Sequence, residues 1–156
     1  MRMRNQFLEV VFSINDINKM VESAKGTYQR ISEENCEEIL KELNIGYMLR
    51  KAANISTPQM EITEVNGEWT IKTSTILKTL ELKFRIGEEF DDTTPDGRKV
   101  SCLVTVEGNK IICVQRAKNK KDASTKSVRE FVDDECVVTT EILGTNVVSV
   151  QKFKKI

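Results

Sequence analysis

At 156 residues and 17.8 kDa the chain has the size of one domain, enough to bury about two thirds of the surface exposed by its unfolded form. Its 24 basic side chains balance 24 acidic ones, so charge recommends neither a nucleic-acid nor an anionic-membrane partner, and the absence of histidine removes His-dependent triads, HExxH sites and imidazole-ligated metals. Cys36, Cys102, Cys113 and Cys136 form no CxxC pair, and no stretch approaches the roughly 20 apolar residues of a membrane-spanning helix, so a metal site, a cofactor and a dithiol motif are not expected and the cytoplasm is the expected location.

The first 22 residues carry Phe7, Leu8, Val10, Val11, Phe12 and Ile14, too apolar for an inert tail, and Asn15-Asp16 interrupts them. They are read as a loosely attached extension of unknown role, with a packed helix, a partner-binding segment and an uncleaved leader left open. Residues 23–156 form the domain. A strand is expected over residues 26–31. Ser32 is then placed to cap a helix over residues 33–43, where Cys36, Ile39, Leu40 and Leu43 fall at i, i+3, i+4 and i+7. Gly46 breaks that helix, and a second one, Tyr47–Ile55, ends before Thr57-Pro58.

Beyond Pro58 the hydrophobic period changes to two. Turn signals recur at Asn66-Gly67, Gly87, Pro95-Asp96-Gly97, Glu107-Gly108-Asn109, Asp133-Asp134 and Gly144, the spacing of a meandering antiparallel sheet of about nine further strands. Leu80, Leu82, Phe84 and Ile86 alternate with Glu81, Lys83 and Arg85. Val100, Cys102, Val104 and Val106 define one face of their strand, and that face points inward.

The same parity applied to less apolar strands places polar groups inside. Lys126, Val128 and Glu130 share a face, which turns Ser127, Arg129 and Phe131 inward; Lys152 and Lys154 mark an outer face, which leaves Val147, Ser149, Gln151 and Phe153 inside. Ile71, Thr73, Thr75, Cys113 and Gln115 are inward by the same rule. An unpaired guanidinium in a dry core costs several kcal/mol. A closed antiparallel barrel of about ten strands with a water-filled interior removes that cost and the exposed sheet edges together. The other reading, an Arg129 that turns outward or pairs with a carboxylate in a solid core, stays open on parity alone.

Several motifs in order, Gly26-Thr27-Tyr28, Ser32-Glu33-Glu34-Asn35, Ile45-Gly46-Tyr47-Met48-Leu49-Arg50-Lys51, Gly87-Glu88-Glu89-Phe90-Asp91, Asp96-Gly97-Arg98-Lys99-Val100, Glu107-Gly108-Asn109-Lys110 and Val128-Arg129-Glu130-Phe131, resemble the intracellular fatty acid-binding proteins over about residues 24–156. The resemblance implies an all-β fold: a ten-stranded up-and-down barrel of the lipocalin-like (calycin) type under a helix-turn-helix lid. It also implies a cytoplasmic monomer that carries long-chain fatty acids without chemistry. Arg129 is similar to the interior arginine that meets the ligand carboxylate, with Gln151 and Gln115 beside it. The implied cavity lining is Cys36, Met60, Ile71, Thr73, Thr75, Arg98, Cys113, Val138 and Phe153; the implied portal is Ile39, Leu40, Ile45, Ala53, Leu77, Pro95 and Asp96.

Five positions depart from the family pattern. Family members often end in Arg-x-Tyr, whereas this chain has Gln151-Lys152-Phe153, which resembles the cellular retinol-binding branch; a retinoid or other neutral hydrophobic ligand is therefore the alternative to a fatty acid. That branch usually lacks the arginine that Arg129 retains. Cys36 stands where an aromatic is common, Arg30 where an apolar residue is usual in the first strand, and Leu77 where a phenylalanine often gates the portal. Lys41, Arg50 and Lys51 resemble the lid charges with which the family approaches anionic membranes, and a solvated helix face explains them equally well. The acid-rich residues 88–96 lack calcium-loop spacing, and residues 118–121 are too short a basic run to bind nucleic acid.

Overall fold

The computed structural model describes Lys19 and residues 22–75 and 78–156. Strand β1 (Gly26–Glu34) leads into α1 (Cys36–Glu42) and α2 (Tyr47–Ile55), followed by β2 (Gln59–Val65), β3 (Glu68–Ser74), β4 (Thr79–Arg85), β5 (Phe90–Thr93), β6 (Lys99–Glu107), β7 (Lys110–Ala117), β8 (Thr125–Val132), β9 (Glu135–Ile142) and β10 (Val148–Lys155). All ten strands form one antiparallel sheet in the order β4-β3-β2-β1-β10-β9-β8-β7-β6-β5. The implied up-and-down barrel is therefore present, and the expected second helix agrees residue for residue with α2.

The helix start at Ser32 is a correction. Here β1 continues to Glu34, which pairs with Val150 of β10, so ladder hydrogen bonds win over a helix cap at that position. Asn35 then turns the chain in the left-handed region (φ 60°), which its side chain tolerates, and the Glu33 carboxylate accepts the backbone N–H of Cys36 at 3.2 Å. Ile39 is the residue of α1 that is buried; Leu43 lies just beyond the helix as its C-cap.

Full closure of the barrel is a second correction. Strand β4 is hydrogen-bonded to β3 and β5 to β6, with no ladder between β4 and β5. Phe84 of β4 stacks on Trp69 with centroids 6.1 Å apart and planes within 5°, and Leu82, Ile86 and Phe90 pack against the same cluster. The Gly87 N–H reaches Val104 O at 2.8 Å and ties the β4–β5 turn to β6.

Parity holds through most of the sheet, with Leu80 of β4 exposed as an exception. Met60, Ile62, Trp69, Ile71, Val104, Ile111, Cys136 and Phe153 are buried toward one interior, while Glu61, Lys83, Arg85 and Lys152 are exposed. Asn66 (φ 51°) and Gly67 (φ 82°) both lie in the left-handed region, the requirement of a two-residue hairpin turn that matches strand twist. At the end opposite the lid, Tyr28 meets Phe131 edge to face at 6.1 Å and donates its hydroxyl to Ala24 O at 2.9 Å, so helical residues 22–24 close the barrel floor. The expectations for Phe7, Leu8, Val10, Val11, Phe12 and Ile14, and for Leu77, lie outside the described residues.

Candidate functional site

The interior of β8 is set by its two neighbours. Arg129 lies opposite Ile111 of β7 and Val138 of β9, and Ser127 lies opposite Cys113 and Thr140, its hydroxyl 3.3 Å from that of Thr140. Gln151 of β10 pairs with Val138 from the other side, so Arg129 and Gln151 flank Val138 on the same inward face. Arg129 thus points where alternation requires. Its Nε is buried without a hydrogen-bond partner, and none of the ion pairs among the described residues involves it. Burial pulls its guanidinium below the ordinary arginine value, with Cys136 and Cys113 opposing that effect.

Gln115 does not join this pair. It lies opposite Thr125, two inward positions nearer the lid, and its Oε1 accepts the Thr125 hydroxyl at 3.2 Å. Arg98 is also held elsewhere. Its Nε donates to Asp96 Oδ2 at 2.6 Å and its Nη1 to Ala123 O at 2.5 Å, in a groove of about 910 Å³ between the end of α1 and the barrel rim that Lys41, Arg116 and Asp122 also line. Asp96 shares that groove, and Pro95 is exposed beside it.

A second cavity, of about 200 Å³, lies beneath the lid. It brings together Cys36, Ile39, Leu40, Ala53 and Gln151 with residues given no role from sequence: Arg30, Glu33, Asn54, Thr140 and Ser149. Arg30 Nη1 donates to Gln151 Oε1 at 3.2 Å and Nη2 to Ser56 O at 2.9 Å. The missed signal was parity: Arg30 shares the inward face of β1 with Tyr28, as its pairing with buried Phe153 requires.

Met60, Ile71, Cys113, Val138 and Phe153 sit in the core cluster below, Thr73 is half-buried opposite Met60, and Thr75 bonds Lys78 at the β3–β4 turn. Ile45 lies in the link between α1 and α2, where its carbonyl accepts Arg50 Nη1 at 2.6 Å. Arg50 is thereby half-buried, with Glu37 3.8 Å away, and Lys41 is paired with Glu38 at 3.3 Å; among the described residues Lys51 has no ion pair, its Nζ lying 5.2 Å from the Tyr47 ring centroid. Tyr47, Met48 and Leu49 are exposed beside it.

The four thiols are all free. Burial, reinforced by Glu33, pushes Cys36 up to about 11, and burial pushes Cys102 and Cys136 up to about 12, so near neutral pH they are protonated and weakly nucleophilic. Among the described residues no helix is long and apolar enough to cross a membrane.

Comparison with known proteins agrees with this geometry. Residues 25–155 match the lipocalin / cytosolic fatty-acid binding protein family. A fatty acid-binding protein of Tyrophagus putrescentiae is 38% identical over 131 residues, covering 83% of this chain and 95% of that one; the cellular retinoic acid-binding protein 2 of Mus musculus is 42% identical over 118 residues, covering 74% and 86%. The apo crystal structure of lipid binding protein 8 from Caenorhabditis elegans superposes with a TM-score of 0.82 at 28% identity, covering 86% of this chain and 96% of that one. With its ten-stranded barrel, two-helix lid and inward arginine, the chain belongs to the lipocalin and cytosolic fatty-acid binding protein family.

Proposed function

We propose that the protein binds long-chain fatty acids non-covalently inside the barrel and carries them through the cytoplasm as a monomer, with the ligand carboxylate held at Arg129. The observation that carries this reading is inward Arg129, which lies between Ile111 and Val138 with its buried Nε unsatisfied and no ion pair among the described residues. Half-buried Arg129 has no counter-ion among the described residues, and an entering carboxylate supplies one with charge-assisted hydrogen bonds of about 1.5–3 kcal/mol net. The apolar interior supplies the rest: at roughly 0.8 kcal/mol per buried methylene, a chain of about 16 carbons brings a gross term on the order of 10 kcal/mol.

The similar proteins of Tyrophagus and Mus are named for fatty acid and retinoic acid, both carboxylic acids, which supports an anionic head group over an alcohol. The chemistry ends at binding, since no histidine is available as a base and the buried thiols stay protonated. Four unpaired cysteines support a reducing compartment. Lid contact with an anionic membrane, through Lys51 and the exposed Met48 and Leu49, completes the proposed delivery step. The test is titration of oleate, oleyl alcohol and retinol against the purified chain. Tightest binding of oleate supports the reading, and tightest binding of retinol replaces it with the neutral-ligand alternative suggested by the Gln151-x-Phe153 ending.

A further inference from the structure

Arg30 is the interior cation for which neither the strand pattern nor the comparisons supply a role. It enters the cavity beneath the lid from β1, and its two hydrogen bonds go to neutral acceptors, Gln151 Oε1 and Ser56 O. Among the described residues no carboxylate lies within ion-pair distance of it, although Glu33 lines the same cavity. A guanidinium carries five N–H donors, so donors remain beyond these two bonds. Because Gln151 accepts from Arg30 through Oε1, its amide nitrogen is the end left to donate to a ligand. Gln151 and Arg129 flank Val138 on one inward face, two strand spacings or about 10 Å apart at the backbone, and Arg30, paired on β1 with Phe153 two residues along β10, reaches Gln151 from the next strand.

We propose that Arg30 is a second carboxylate-binding residue, supplied from β1 and acting beside Gln151, so that the ligand head group is held between Arg30 and Arg129. This rests on the fatty-acid reading above. Among the described residues neither guanidinium has a carboxylate partner; Arg30 lines the cavity beside Gln151, and Arg129 stands across Val138 from Gln151, so the two flank Gln151 from either side and suit the chemistry of a single anion. The bond from Arg30 to the Ser56 carbonyl, where α2 ends, fixes the head-group site directly under the lid.

The experiment is displacement of a fluorescent fatty acid by oleate and by oleyl alcohol from the unmodified protein, Arg30→Gln, Arg30→Lys, Arg129→Gln and the double glutamine variant, with melting temperature confirming that each is folded. Arg30→Gln is expected to weaken oleate at least about tenfold while leaving oleyl alcohol within about twofold, and Arg30→Lys to recover part of the loss. The double variant is expected to lose less than the product of the two single losses, because both side chains act on one carboxylate. Equal weakening of acid and alcohol, unchanged oleate binding, or fully multiplicative losses each overturn the proposal. A preference for acid that Arg129→Gln abolishes and Arg30→Gln leaves intact overturns it alone; an unmodified protein without that preference overturns the fatty-acid reading and this proposal together.

Discussion

Arg98 closes onto Asp96 across the β5–β6 turn, its Nε 2.6 Å from Asp96 Oδ2, and both side chains are nearly buried. Burial alone raises the Asp96 carboxyl, but hydrogen bonds from Arg98 and Thr94 and the charge of Arg98 outweigh it and hold the group below its usual value. A lowered folded pKa contributes stability that is in place above the unfolded value, near 4, and is lost as pH falls through the folded value. Asp96→Asn is therefore expected to cost about 1–3 kcal/mol near neutral pH. Thermal melts at neutral and strongly acidic pH check this: the gap to the unmodified protein shrinks at low pH, whereas a pH-independent gap contradicts the ion-pair account.

Arg129, by contrast, has no such partner, and this makes its role measurable as stability. Replacing a half-buried charge whose Nε is buried and unsatisfied by an apolar group of similar length is expected to stabilise the empty protein by about 1–3 kcal/mol. Arg129→Met thus raises the melting temperature of the ligand-free form while weakening oleate. A lower melting temperature without ligand shows instead that the guanidinium is satisfied in the empty barrel.

Cys36 reports on the cavity beneath the lid. With its thiol pushed up to about 11, only about one molecule in a thousand is thiolate near pH 8, so alkylation is slow. Saturating oleate is expected to slow it severalfold further, because Cys36 lines the cavity beside Arg30 and Gln151. Cys102 and Cys136, fully buried, label only in denaturant. Mass spectrometry of iodoacetamide-treated protein reads all of these positions, and equal Cys36 labelling with and without oleate contradicts a head group under the lid.

On the lid surface, Met48 is 78% exposed and Leu49 69%, an apolar pair next to Lys51. Double substitution to serine is expected to slow transfer of a fluorescent fatty acid to anionic vesicles by about threefold or more, leaving affinity unchanged. Arg50→Gln acts differently. It removes the bond to the Ile45 carbonyl, so the expected loss is in melting temperature. Transfer rates insensitive to Met48 and Leu49 assign delivery to diffusion through water.

The barrel was legible because period-two alternation is local: Val100, Cys102 and Val104 announce their face without reference to any other strand, and β8 carries Arg129 inward by the same count. The start of α1 was not. Ser32 is a sound cap in isolation, and only the ladder with β10 holds it in a strand. Side-chain partnership was equally hidden. Arg98 and Arg129 look alike in sequence, yet one is neutralised by Asp96 and the other is orphaned, a difference created by three-dimensional neighbours. Arg30 stood out as a departure from the family pattern, but its meaning depends on Gln151, 121 positions away.

The most direct test of the central claim compares oleate with oleyl alcohol in the unmodified protein and in Arg129→Gln. These ligands share a tail and differ in the head group, so the apolar contribution cancels and the charge-assisted contribution remains. The account predicts that the acid binds at least about tenfold tighter than the alcohol, a gap of about 1.4 kcal/mol, and that Arg129→Gln removes most of it. Equal affinity of the two ligands, or a preference that survives Arg129→Gln, contradicts it.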